Sequence, residues 1–195
     1  VFGLLGRAIG HAERVVGAGE PRVLLHGFGE STLSYAAVLP GLAERFAVVA
    51  IDLNGFGYTE RPKDRESYTL AGQERLVLSV LDRLGLDRVR LAGHSYGGGL
   101  ALYLAARHPE RIDRLLLIDN TLPLYASLRR SPLFAWRWVA RMAAHTFAIS
   151  DRVIAAGLEK AYFDDSKVTP ALVREYADRL RIEGARGGGG RRLRR

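Results

Sequence analysis

In the stretch Arg90-Leu-Ala-Gly-His-Ser-Tyr-Gly-Gly-Gly-Leu100, an apolar run stops at Gly93 and a helix-compatible run begins just after Ser95. Gly93-His94-Ser95-Tyr96-Gly97 fits G-x-S-x-G, a strand-to-helix turn so sharp that its serine is strained and its neighbours two residues away carry no Cβ. Such a turn holds the Ser95 hydroxyl at a helix N-terminus. There the Tyr96 N–H lacks an intrahelical partner and the helix dipole favours negative charge. These features suit a nucleophilic serine and the oxyanion that its attack creates. The same letters also describe a plain glycine-rich turn before an ordinary helix, so the surrounding segments have to separate the two readings.

Upstream, the apolar run Arg22-Val-Leu-Leu-His26 ends in Gly27-Phe28-Gly29-Glu30-Ser31. Together with Asp52-Leu-Asn-Gly-Phe-Gly57, Gly93-His-Ser-Tyr-Gly-Gly98 and Arg107-His-Pro-Glu-Arg111, this makes the chain resemble the α/β-hydrolase family over about residues 20 to 185. The resemblance implies a serine hydrolase of esters or related acyl compounds, in which Ser95 attacks and the N–H groups of Phe28 and Tyr96 hold the oxyanion. It implies a small hydrophobic acyl substrate, no cofactor and no metal.

A serine nucleophile needs a base, and the family's chain order is serine, then Asp or Glu, then His. Only His108 and His145 follow Ser95. His108 stands at a helix end before Pro109, and His145 falls on a helix of the expected lid, so both read as structural or surface residues. His94 points away from the nucleophile by strand alternation, and His26 reads as a brace for the glycine turn. Asp119 ends the strand after the nucleophile unit, where a minority of the family place the catalytic acid; it also precedes Asn120-Thr121 and fits a simple turn. Asp52 ends a strand too, but the Asn54-Gly55-Phe56-Gly57 loop after it points to a hydrogen-bonding role in the fold.

The elements that must position these residues follow from periodicity. Glu13 to Val16 reads as an edge strand, and Arg22–His26, Phe46–Ile51, Arg88–Ala92 and Arg111–Ile118 as buried strands. Between them, helices are expected from Ser31 or Thr32 to about Arg45, its last turns weakened by Pro40-Gly41, from Thr69 or Leu70 to Leu84, and from Ser95 to Arg107. Strands alternating with helices of this length predict an α/β fold with a mostly parallel, doubly wound sheet. The loops after His26, Ile51, Ala92 and Ile118 then share its carboxyl edge, where ligands of such sheets bind.

After Asn120 the pattern becomes helical, with segments 132–147, 151–162 and 170–182, the last with a Thr169 cap and Pro170 in its first turn. The expected organisation is a core over 1–120, a helical lid over 121–183 and a Gly/Arg tail over 184–195. On the lid reading, Trp136 and Trp138 give an apolar roof for a hydrophobic acyl or aromatic substrate; the alternative is a plain helical subdomain in which they pack internally. The resemblance further implies two more strands carrying an acid and the catalytic histidine. They are not found in this sequence, which therefore reads as shortened, with its turnover impaired.

Composition bounds the rest. A length of 195 residues suits one domain with a real core, and 48% hydrophobic residues with mean hydropathy of -0.03 suits a soluble chain. The opening Val1 to Arg7 is too interrupted for a signal peptide, and no run approaches the ~18 apolar residues of a membrane span. With 0 cysteines there are no disulfides, which agrees with a cytoplasmic setting. The net charge of +8 invites a nucleic-acid reading, but five arginines of the tail carry most of it, and removing them leaves +3. No specific nucleic-acid partner and no membrane partner is expected.

Overall fold

A computed structural model of the chain describes residues 13–120 and 150–182. The chain divides into two compact units, Val1–Ala126 and Ser127–Arg195. The tail, Trp136, Trp138 and His145 lie outside the described residues.

In the first unit, strands β1 (Glu13–Val16), β2 (Glu20–Leu25), β3 (Phe46–Ile51), β4 (Val89–His94) and β5 (Ile112–Ile118) form one sheet in the order β1-β3-β2-β4-β5. β1 runs antiparallel to β3, while the β3, β2, β4 and β5 pairings are all parallel. The crossovers carry α1 (Leu39–Ala43), α2 (Leu70–Arg83) and α3 (Ser95–Arg107). On one face Val23, Leu25, Val49, Ile51 and Leu91 pack against Leu76, Val80, Leu81, Leu100 and Leu104 of α2 and α3. On the other, Leu24, Val48 and Ala50 pack against Leu39, with Tyr35 and Leu42 beside them. Cover on both faces explains why β2 and β3 read as continuous apolar runs rather than alternating ones.

The mostly parallel α/β sheet is therefore as expected, and the differences are local. The helix expected from Ser31 or Thr32 to about Arg45, weakened at Pro40-Gly41, is a 3-10 turn at Thr32–Tyr35 followed by the short α1. Pro40 is the cause. It has no N–H to donate and its ring collides with the carbonyl four residues back, so it serves as an early residue of a new helix instead of continuing the old one. β2 ends at Leu25, so His26 opens the loop, and β4 runs on through His94.

In the second unit the described residues form α4 (Asp151–Ala161), a 3-10 turn at Asp165–Lys167 and α5 (Pro170–Arg181). Ile154 and Leu158 meet Val173 and Ala177, one apolar stripe from each helix. The Thr169 hydroxyl accepts the Leu172 N–H and Pro170 stands in the first turn, so α5 starts where its sequence places it. No helix among the described residues is long and apolar enough to cross a membrane.

Candidate active site

Ser95 joins β4 to α3 with φ +49°, a left-handed conformation that a serine adopts only under constraint. The constraint comes from its neighbours. A Cβ on Gly93 would stand 2.3 Å from the Gly97 carbonyl oxygen, and one on Gly97 would stand 2.2 Å from the Leu25 oxygen and 2.5 Å from that of His26. The two glycines let the turn fold on itself and press against the end of β2. Ser95 and Tyr96 are half-buried there.

The loop after β2 lies alongside. Glu30 closes it, accepting the Gly27 N–H at 3.0 Å on a carboxylate oxygen while its own N–H donates to the Gly27 oxygen at 3.3 Å. The same carboxylate sits 3.1 Å from Nδ1 of His94. One side chain thus links the turn that carries Phe28 to the residue before Ser95. Phe28 itself is 73% exposed, and its ring meets that of Tyr96 edge-on with centroids 6.4 Å apart.

Behind these loops Asp52 and His26 are committed to the fold. Asp52, 1% exposed, accepts the Thr32 N–H at 2.6 Å and the Tyr58 N–H at 2.9 Å, which ties the loops after β2 and β3 together. His26 is buried, and its Nε2 accepts the Leu53 N–H at 3.0 Å, so the proton of the neutral ring is on Nδ1, donated to the Gly27 oxygen at 2.7 Å. Burial holds the His26 pKa below its ordinary value. The Tyr35 hydroxyl donates to the Leu25 oxygen at 2.8 Å, and burial pushes its phenol upward.

These contacts bear on the search for a base. Both nitrogens of His26 are engaged in the fold. His94 faces Glu30 through Nδ1. His108 lies thirteen residues along from Ser95, roughly 20 Å at the helical rise, and its Nε2 is 2.7 Å from the Glu74 carboxylate. Asp119 follows β5 with φ +46° and is exposed. Ser95 and Asp119 are the two non-glycine residues at positive φ among those described. Aspartate tolerates that conformation better than most residues, so the turn reading and the acid reading both survive. Asn120 lies against Gly98 of α3, where a Cβ would meet its Cα at 3.4 Å, so the loop after β5 reaches the first turn of the Ser95 helix. Among the described residues no group of three or more His, Cys, Asp or Glu is gathered to hold a metal.

The sequence missed the Glu30–His94 link, whose partners are 64 residues apart and carry no local signal of their pairing. It also missed Tyr35 as a prop for the end of β2.

The model of the alpha/beta hydrolase fold family matches residues 22–181. A 2-hydroxymuconate semialdehyde hydrolase of Pseudomonas sp. is 44% identical over 107 residues, which are 53% of this chain and 38% of that protein. A soluble epoxide hydrolase of Corynebacterium sp. is 39% identical over 104 residues, 53% of this chain and 35% of that protein. The solved structure of a hydrolase from Pseudomonas aeruginosa superposes with TM-score 0.69 at 28% identity, covering 91% of this chain and 66% of that one. The chain thus matches well under half the length of these two curated relatives.

Proposed function

We propose that this chain, which belongs to the alpha/beta hydrolase fold family, carries the nucleophile half of a serine hydrolase site for an ester or related acyl bond of a small hydrophobic substrate. Ser95 Oγ attacks the acyl carbon, the N–H groups of Phe28 and Tyr96 hold the resulting oxyanion, and water then cleaves the acyl-enzyme. Asp119 is the candidate acid. Residues 121–183 are proposed as a helical lid with Trp136 and Trp138 in its apolar roof. The single observation that carries the reading is the left-handed Ser95 at the junction of β4 and α3, since a serine is held there only where the surrounding glycines and strands enforce it.

A second reading is favoured by the histidines. Attack requires the Oγ proton to leave, and among the described residues no histidine has a ring nitrogen bonded to Ser95. A chain without that base loses most turnover, leaving at best the ~10³–10⁴-fold over water that an oxyanion hole and binding supply. It would act as a binding module for a small apolar ligand.

One experiment separates the two. The purified 195-residue chain and its Ser95→Ala variant are assayed for p-nitrophenyl acetate hydrolysis with and without added imidazole as a diffusible base. The expected outcome is near-background turnover for both without imidazole and a Ser95-dependent rise with it. Robust Ser95-dependent turnover without imidazole would show that a base is present in the chain, with His145 the first to replace. No Ser95-dependent rise, together with thermal stabilisation by apolar ligands, would favour the binding module.

A further inference from the structure

Two loops at the carboxyl edge and the first turn of α3 each contribute one aromatic ring to a shared cluster. Phe28 follows β2, Phe56 lies in the loop after β3, and Tyr96 follows Ser95 at the end of β4. Phe28 stands edge-on to Phe56 with centroids 5.3 Å apart at 74°, and edge-on to Tyr96 at 6.4 Å and 83°. Phe56 is backed in turn by the buried His26 ring at 5.6 Å and 78°. Phe56 and Tyr96 pack onto the main core, while Phe28 is 73% exposed. A phenylalanine held in a fixed orientation by two edge contacts, yet mostly open to solvent, is a surface prepared for another ring.

We propose that Phe28, Phe56 and Tyr96 form an aryl-selective wall beside Ser95, so that the ligand is one with a planar aromatic group and not simply an apolar one. Edge-to-face packing needs a quadrupole on both partners, with the positive edge of one ring meeting the negative face of the other. A saturated ring of the same size lacks that quadrupole although it is the more hydrophobic of the two. Burial of apolar area alone therefore favours the saturated guest, and only the ring geometry favours the aromatic one. From the usual worth of such pairs the preference is roughly three- to tenfold in affinity.

The inference rests on the reading of Ser95 as the centre of the site, and its test uses ligands that cannot turn over. The dissociation constants of 4-phenyl-2-butanone and 4-cyclohexyl-2-butanone are measured on the full chain by NMR titration of its aromatic resonances. The same titrations are run on Phe28→Leu and Phe56→Leu. The expected result is tighter binding of the phenyl ketone by several-fold in the natural chain, falling to within about twofold in Phe28→Leu while the cyclohexyl ketone is held as before. Equal affinities in the natural chain, a preference that persists in both variants, or no saturable binding of the phenyl ketone would each overturn the proposal. An aryl preference in a chain that shows no Ser95-dependent rise even with imidazole would refute the hydrolase reading and leave the wall standing.

Discussion

At Ser95 the backbone conformation and its glycine neighbours depend on each other. The serine reaches φ +49° because Gly93 and Gly97 let backbone pass where a methyl group would stand 2.2–2.3 Å from a carbonyl oxygen. Gly97→Ala is therefore expected to destabilise the first unit by about 1–3 kcal/mol, as overpacking against immovable backbone does. Gly41→Ala, on the exposed surface of α1 with nothing within 4 Å of the added Cβ, should be neutral or slightly stabilising. Urea unfolding of both variants checks the pair. His26 supports a pH prediction at the same scale. In the unfolded chain the ring titrates near its ordinary value of 6.5, while burial keeps the folded ring neutral to lower pH. The unfolded state thus binds the extra proton first. This contribution is fully present above that value and is lost as the pH falls below it, by up to about 1.4 kcal/mol per unit. Unfolding at neutral and mildly acidic pH should show a steeper acid loss in the natural chain than in His26→Gln; equal slopes would mean that His26 is protonated in the fold. The Ser95 turn was legible in the sequence because five consecutive residues encode it. The Glu30 carboxylate that joins Gly27 to His94 was not, since it is created only when β2 and β4 become neighbours.

Among the elements, boundaries were legible where one residue sets them. Thr69 caps α2 by accepting the Gly72 N–H, and Thr169 with Pro170 starts α5. At Pro40 the sequence marks a weakened stretch of helix, and the structure goes further by starting a new helix there. The apolar spacing from Leu33 to Leu42 suits a single helix, and periodicity records which side chains face the core without recording whether the backbone between them is continuous. The 3-10 turn and α1 bury Leu39 as one helix would, so the hydrophobic pattern is the same for both. A cap, unlike a stripe, makes a directional prediction. Thr69→Ala should cost about 1 kcal/mol by leaving the Gly72 N–H unpaired, and Thr69→Asn should restore most of it. Thermal unfolding followed by circular dichroism is sufficient to compare the two, and an Asn variant no more stable than the Ala variant would assign the loss to packing instead.

At the scale of the whole molecule, β5 is an apolar strand left open among the described residues. Its Leu115-Leu-Leu-Ile118 run predicts a strand buried on both sides, and the strand forms as expected. Yet among the described residues it pairs with β4 alone, and Leu116, Leu117 and Ile118 are 58%, 37% and 43% exposed. The run specifies the strand, and its place at the end of the sheet order leaves it exposed. An apolar edge strand presents unpaired N–H and C=O groups beside a sticky surface, and native proteins normally cover or charge such edges. The 195-residue chain is accordingly expected to self-associate reversibly through β5 at micromolar concentrations. Leu116→Lys places a charge on the exposed side of that strand, where little core contact is lost, so folding should be nearly unaffected while association falls. Sedimentation velocity over a range of concentrations, with circular dichroism to confirm that both chains are folded, tests this directly. A natural chain that stays monomeric throughout, or a lysine variant that associates as strongly, would move the source of association away from this edge.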